Sequence, residues 1–310
     1  MLVACGRSEP VAPTVESTPK EEVRSDAVMV TIEADVVQMG PRNVPPIEAV
    51  SRPRGKVPPQ NDSFRTVKSE PWVSKGGRGL NPRLVSVGSF QIDQTEVTRA
   101  AYARFLNATG YRLPHVSEPW ADDGWNWTST EVPDEWANHP VVMVSFYDAQ
   151  AYCRWARKRL PTEAEWQLAA LGSKDSGYQY PWGVRYRDEL LNHGRMEAPN
   201  FDETDGFLRT APVGSFPGGR SASGLDDMFG NAWEFTADAR IDDWGHARHK
   251  GFGARGEMID AFAPGPGLRV AVRGGSYYFD FRPNPGGEWA AFVPESRRKT
   301  SGFRCASDLP

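Results

Sequence analysis

The chain of 310 residues carries 36 Lys and Arg against 40 Asp and Glu, a formal net charge of -4, with 39% hydrophobic and 25% charged residues. This is the composition of a globular protein with a sizeable core, and no block of Lys and Arg is dense enough to follow a phosphate backbone, which argues against nucleic acid as partner. No stretch approaches the ~20 apolar residues that cross a bilayer, and 11 Trp, 30 Gly and 26 Pro point to short elements joined by turns.

At the start, Leu2-Val3-Ala4-Cys5 before Gly6 is similar to the lipobox at which bacterial lipoprotein precursors are cut and the cysteine acylated. A charged and then an apolar segment should precede a lipobox, so this reading implies a precursor extending upstream of Met1. The alternative is a chance run of small residues before a free or buried Cys. With lipidation at Cys5, the chain is expected to be an exported periplasmic or outer-membrane lipoprotein, attached to the membrane through that lipid anchor only.

Residues 1–80 read as this lipobox-like start and a Pro/Glu/Ser-rich tether, because segments such as SEPVAPTVESTPKEEVRSD bury too little apolar area to offset their ordering entropy. Within the tether, Val28-Met29-Val30-Thr31-Ile32 continuing to Val36-Val37 has strand character and could pair locally or extend a sheet edge. Residues 81–310 read as one domain. Leu84-Val85-Ser86-Val87 and Phe90-Gln91-Ile92 predict two short strands around Gly88. Thr98 is a good N-cap for a helix with Tyr102, Phe105 and Leu106 on one face.

A second helix follows Ser145, with Ala149, Tyr152, Cys153 and Ala156 on a buried stripe. A third begins at Thr162-Glu163-Ala164-Glu165, a Thr-x-x-Glu capping box after Pro161. Beyond Leu171, loops and short strands are expected.

Seven collinear segments resemble the formylglycine-generating-enzyme, or sulfatase-modifying-factor, family. They are FQIDQTEVTRAAYARFL, HPVVMVSFYDAQAYCRWARKRLPTEAEWQLAA, YPWG, TAPVGSFP, GLDDMFGNAWEFTAD, VRGGSYYF and SGFRCA. The resemblance implies an α+β domain with a C-type-lectin-like fold and little regular secondary structure. It also implies a disulfide between Cys153 and Cys305; the residues alone leave open two buried thiols. An oxidising compartment is required for the bridge, in agreement with export.

Calcium as a structural ion is the second implication, since a hard cation takes carboxylate and carbonyl oxygens from turns. In NFDETDGF the pattern maps to the side chains of Asn200 and Asp205 with the carbonyls of Phe201 and Phe207. In DMFGNAWEF it maps to the side chains of Asp227 and Glu234 with the carbonyls of Gly230 and Ala232; Asp227 stands where some relatives have Asn. Either acidic loop can also be read as a solvated turn.

Enzymes of this family convert a cysteine of a target sulfatase to formylglycine with a pair of cysteines that bind copper. The resemblance puts those cysteines at Phe279 and Asn284, after Arg273-Gly274-Gly275-Ser276. A phenyl ring cannot replace a thiolate as a metal ligand, so no catalytic residue is assigned and no copper is expected. Another branch holds non-haem iron with histidines from an added helical domain; this chain has no such domain, the pair His246 and His249 reads as surface, and His139 as structural.

The face after 273–276 is expected to form a groove with Tyr277, Tyr278, Phe281, Arg282 and Trp289 as candidate ligand-binding residues, although the same aromatic rings fit a core. The reading is thus a non-catalytic, envelope-anchored domain that binds an envelope protein, peptide or glycan. Its rival is a formylglycine-generating oxidase-like enzyme with a diverged active site.

Overall fold

A computed structural model describes residues 27–39, 83–117, 121, 124–194, 203–242, 250–252, 258–260, 267–279 and 289–309. Cys5, Asn200, Phe201, Phe281, Arg282, Asn284, His246 and His249 lie outside the described residues, as does most of the expected tether. No helix among the described residues is long and apolar enough to cross a membrane.

The chain begins with strands β1 (Met29–Ile32), β2 (Asp35–Met39), β3 (Arg83–Val87) and β4 (Phe90–Asp93). Helices α1 (Arg99–Thr109), α2 (Asp134–Ala137), α3 (Phe146–Trp155) and α4 (Glu163–Leu171) follow. The remaining strands are β5 (Trp233–Asp242), β6 (Lys250–Phe252), β7 (Met258–Asp260), β8 (Gly267–Arg273), β9 (Trp289–Phe292), β10 (Ser301–Gly302) and β11 (Ala306–Asp308). The result is an α+β fold.

The strand-like run ahead of the tether boundary is built into the domain. β1 pairs antiparallel with β4, whose other edge takes β11, so residues from both ends of the chain meet on one strand. β2 pairs antiparallel with β3. Residues 29–39 therefore supply two strands to the globular unit, although they lie on the tether side of residue 80.

The helix signals act as chemistry predicts. The Thr98 side chain accepts from the Ala101 amide, and α1 ends at Gly110 in the left-handed region with φ 65°. Ser145 with Asp148, and Thr162 with Glu165, each form a reciprocal capping box at the starts of α3 and α4. Every residue of α4 is buried, including Glu163, Glu165 and Gln167. A helix buried all round has no solvent face; α4 packs against β2 and β3 and against β5 and β8.

The core has two large clusters, the second of which includes this helix. One gathers Tyr102, Phe105, Val144, Phe146, Tyr152, Phe235, Val272 and Phe303 around the Cys153–Cys305 disulfide. The other joins Val37, Met39, Phe90, Ile92, Trp166 and Leu171. Beyond α4 most strands have two to four residues. β5 runs for ten residues and pairs with β8 through an irregularity between Phe235 and Ala239, on a four-stranded sheet ordered β10-β5-β8-β9.

The disulfide joins residues 152 positions apart, and in the chain-entropy picture closing such a loop restricts the unfolded chain by roughly 5 kcal/mol, with delivered values often smaller. Replacing Cys153 by Ser and Cys305 by Ala is expected to lower the unfolding free energy by about 2–5 kcal/mol. Urea denaturation followed by tryptophan fluorescence measures it. An unchanged midpoint would contradict the bridge's role.

Candidate functional site

β8 delivers Arg273 to the buried interior, 3.4 Å from the Glu163 carboxylate and with its guanidinium over the Trp166 ring at 5.4 Å. The chain then reverses through Gly274 (φ 93°) and Gly275 (φ 72°). A Cβ at Gly274 would lie 2.9 Å from the Met228 carbonyl oxygen and 3.2 Å from the Trp166 ring, so only glycine brings this turn against α4.

The aromatic residues beyond the turn do not form one surface. Tyr277 is only 3% exposed, its ring stacked against Trp125 at 6.4 Å, and its hydroxyl is buried without a hydrogen-bond partner. Burial pushes the Tyr277 phenol well above its ordinary range. Phe279 packs edge-on against Trp233 at 5.6 Å, in contact with both large clusters. Tyr278 alone of the three is exposed, at 37%, with the Lys299 ammonium 5.9 Å from its ring centre. Burial thus removes Tyr277 from the candidate contact surface and leaves Tyr278 on it. Trp289 opens β9, paired with Arg273 of β8.

Residues 192–194 lie against this turn. The Gly194 amide donates to the Phe279 carbonyl at 2.9 Å, and a Cβ at Gly194 would meet the Tyr278 backbone at 2.6 Å. Asp205, of the first expected calcium set, accepts from the backbone amides of His193 (2.8 Å) and Phe207 (2.9 Å). The Nδ1 of His139 lies 3.0 Å from the Thr210 hydroxyl and its ring 4.6 Å from Trp136, and burial and Arg99 hold its pKa below the usual value.

The second expected calcium set occupies a turn of unusual backbone. Asp227 (φ 53°), Gly230 (φ 89°) and Asn231 (φ 53°) all lie in the left-handed region, which Asp and Asn tolerate better than other side chains. Asp227 Oδ2 accepts from the Gly214 amide at 2.6 Å. Glu234 is fully buried, but its carboxylate is already engaged. Oε1 accepts from Arg304 Nη2 at 2.7 Å, and Oε2 accepts from Arg304 Nε at 2.7 Å and from Trp166 Nε1 at 2.8 Å.

Beside them stands a residue that the sequence reading did not single out. Glu96 is 1% exposed and neither carboxylate oxygen has a partner. Burial, then the Asp227 and Glu234 charges, raise its pKa well above the usual carboxylate range, with Arg304 opposing.

Among the described residues no three His, Cys, Asp or Glu side chains close into one coordination group. A cation here would therefore draw on turn carbonyls as well as carboxylates, the mixture that calcium accepts. Buried carboxylate without a donor, next to a turn of left-handed residues, is chemistry that fits a hard divalent cation.

Asp227 is pushed up to about 6 by burial, against the Gly214 amide and Arg304, which pull it down. Between its ordinary value of 3.8 and about 6, the folded metal-free protein holds a proton that the unfolded chain has released. Stability therefore falls as pH rises through that window. In chelator, Asp227→Asn is expected to flatten the decline of melting temperature across that window relative to wild type, as read by thermal scans; parallel curves would refute the assignment.

Comparison with known proteins agrees with this architecture. The sulfatase-modifying factor enzyme 1-like domain matches residues 16–309. The formylglycine-generating enzyme of Bos taurus is 30% identical over 308 residues, covering 87% of this chain and 77% of the relative. That of Thermomonospora curvata is 35% identical over 268 residues, covering 73% of this chain and 84% of the relative. The structure of PvdO from Pseudomonas aeruginosa superposes with a TM-score of 0.59 at 22% identity, covering 94% of this chain and 98% of that one. The chain belongs to the sulfatase-modifying factor enzyme 1-like domain family.

Proposed function

We propose that this chain is a non-catalytic member of its family, exported and held at the envelope by a lipid on Cys5. It binds an envelope protein, peptide or glycan over the face that follows 273–276, and structural calcium stiffens the turns behind that face.

The observation that carries this reading is the fate of the cysteines. The chain has three Cys, and Cys153 and Cys305 are bonded to each other inside a hydrophobic cluster, which leaves Cys5 as the only other thiol. At the expected position of the first working cysteine stands Phe279, its ring against Trp233. A pair of thiolates for copper cannot be assembled from these residues. Export is supported by the buried disulfide, which needs an oxidising compartment, and by the lipobox-like Leu2-Val3-Ala4-Cys5.

On the same face, Tyr278 offers an exposed ring flanked by Lys299. Such a ring can stack on a sugar or a peptide side chain at small entropic cost.

Incubation of purified protein with copper and a Cys-x-Pro-x-Arg peptide is expected to yield no aldehyde by mass spectrometry; formation of formylglycine would overturn the proposal in favour of the oxidase. Binding is read separately on peptide and glycan arrays. Tyr278→Ala is expected to weaken the retained ligand at least tenfold, as for a contact worth ~1.4 kcal/mol or more, with the melting temperature unchanged. Equal binding by wild type and variant would remove Tyr278 from the site.

A further inference from the structure

We infer that Glu96 and Asp227, rather than Asp227 and Glu234, supply the carboxylates of the calcium site at the 227–232 turn, with Glu234 acting as the anchor of Arg304. The inference rests on the proposal that calcium binds here, and it reassigns the residues that hold it.

Glu234 is saturated by fixed donors. Its two oxygens take two hydrogen bonds from the Arg304 guanidinium and one from the Trp166 indole, all at 2.7–2.8 Å and with no solvent exposure at either end of the ion pair. A charge-assisted bidentate pair of this kind is among the strongest that a protein interior makes. Drawing the carboxylate away to a cation would leave the Arg304 charge buried with two of its five donors unmet, which costs several kcal/mol.

Glu96 is the converse case. It is as deeply buried, yet both its oxygens lack any hydrogen-bond partner. An ionised carboxylate so placed is expensive, and buried polar groups are almost always satisfied. It sits within electrostatic reach of Asp227, Glu234 and Arg304. Three carboxylates face one guanidinium, and the nearby Asp226 and Asp93 are already paired with Arg220 and Lys158. Fully ionised, the group carries a formal surplus of two negative charges, which one divalent cation neutralises. The carbonyls of Gly230 and Ala232, taken from the family pattern, would supply neutral oxygens of the kind such an ion accepts.

Two positions on different elements would then share the ion: Glu96, between β4 and α1, and Asp227, in the turn before β5. Calcium becomes a tie between the amino-terminal sheet and the site-bearing turn instead of a local brace within one loop.

The test compares wild type, Glu96→Gln and Glu234→Gln, each stripped with chelator and titrated with calcium chloride. Calorimetry gives affinity, atomic emission gives bound calcium, and thermal scans are run in calcium and in chelator. Glu96→Gln is isosteric and removes a charge that lacks a counter-ion. It is expected to melt at or above the wild-type temperature in chelator, while binding one calcium fewer or at least tenfold more weakly. Glu234→Gln is expected to melt lower in calcium and in chelator alike, because the partner it deprives is Arg304.

Wild-type calcium affinity and stoichiometry in Glu96→Gln would overturn the assignment and leave the calcium proposal standing. Loss of calcium by Glu234→Gln with an unchanged melting temperature in chelator would also overturn it. A wild type that takes up no calcium would overturn both.

Discussion

The fold is organised around one buried cation. Arg304 has no solvent exposure, and all five of its N–H donors are used: three go to the carbonyls of Asp93, Gln94 and Asp226, and two to the Glu234 carboxylate. Those acceptors lie at the end of β4, in the turn before β5 and on β5 itself, segments far apart in sequence. Without this donor the Asp93 and Asp226 carbonyls each lose a buried hydrogen bond, while the Gln94 carbonyl keeps the Asp226 amide at 2.9 Å. Removing either partner of such an ion pair costs about 3–5 kcal/mol, because the other charge then stays buried alone. The neighbouring residue forms the disulfide, so the carboxy-terminal segment is fixed covalently and electrostatically over two consecutive residues.

This fixation is what gives the site its shape. Glu234 holds the Trp166 indole as well as Arg304, and Trp166 in turn lies under the Arg273 guanidinium and closes the space at Gly274. The turn at 273–276 is therefore positioned by α4, and α4 is positioned by its capping box and by a face packed on every side. Tyr278 reaches solvent because its neighbours Tyr277 and Phe279 are drawn inward, one onto Trp125 and the other onto Trp233. A single exposed ring on a rigid, disulfide-tied base loses little freedom on binding, which suits recognition.

Local signals made part of this legible in the sequence. Thr98, Ser145 and the Thr162–Glu165 box act through hydrogen bonds to residues three positions away, so a short window contains their whole cause. Strand β5 was less readable: its ten residues mix Trp, Glu, Thr and Asp, and its pairing with β8 depends on partners some 30 residues away. The buried charges were hidden for a related reason. Charged side chains are mostly exposed, so residue type alone does not mark Glu96 or Arg304 as buried before the fold places them together. The one available signal was position, since Arg304 stands between Phe303 and Cys305, both fully buried. Likewise the ligand pattern named Glu234 by its place in the motif, while only the structure shows which donors occupy its oxygens.

On the proposed non-catalytic reading, the position expected to carry the first working cysteine is filled by Phe279. The ring at the expected cysteine position has become part of the packing, set against Trp233, which itself packs edge-on to Phe292 at 6.0 Å. Restoring a thiol there would replace a phenyl ring by a much smaller group, and large-to-small changes in such settings cost roughly 2–5 kcal/mol through lost burial and the cavity left behind. The Cys153–Cys305 bond and the five Arg304 hydrogen bonds do not use the Phe279 side chain, although its ring packs against the cluster that holds the disulfide. On that reading, the bonds that tie the domain together are separate from the position that would carry the oxidation, so the fold does not depend on that chemistry.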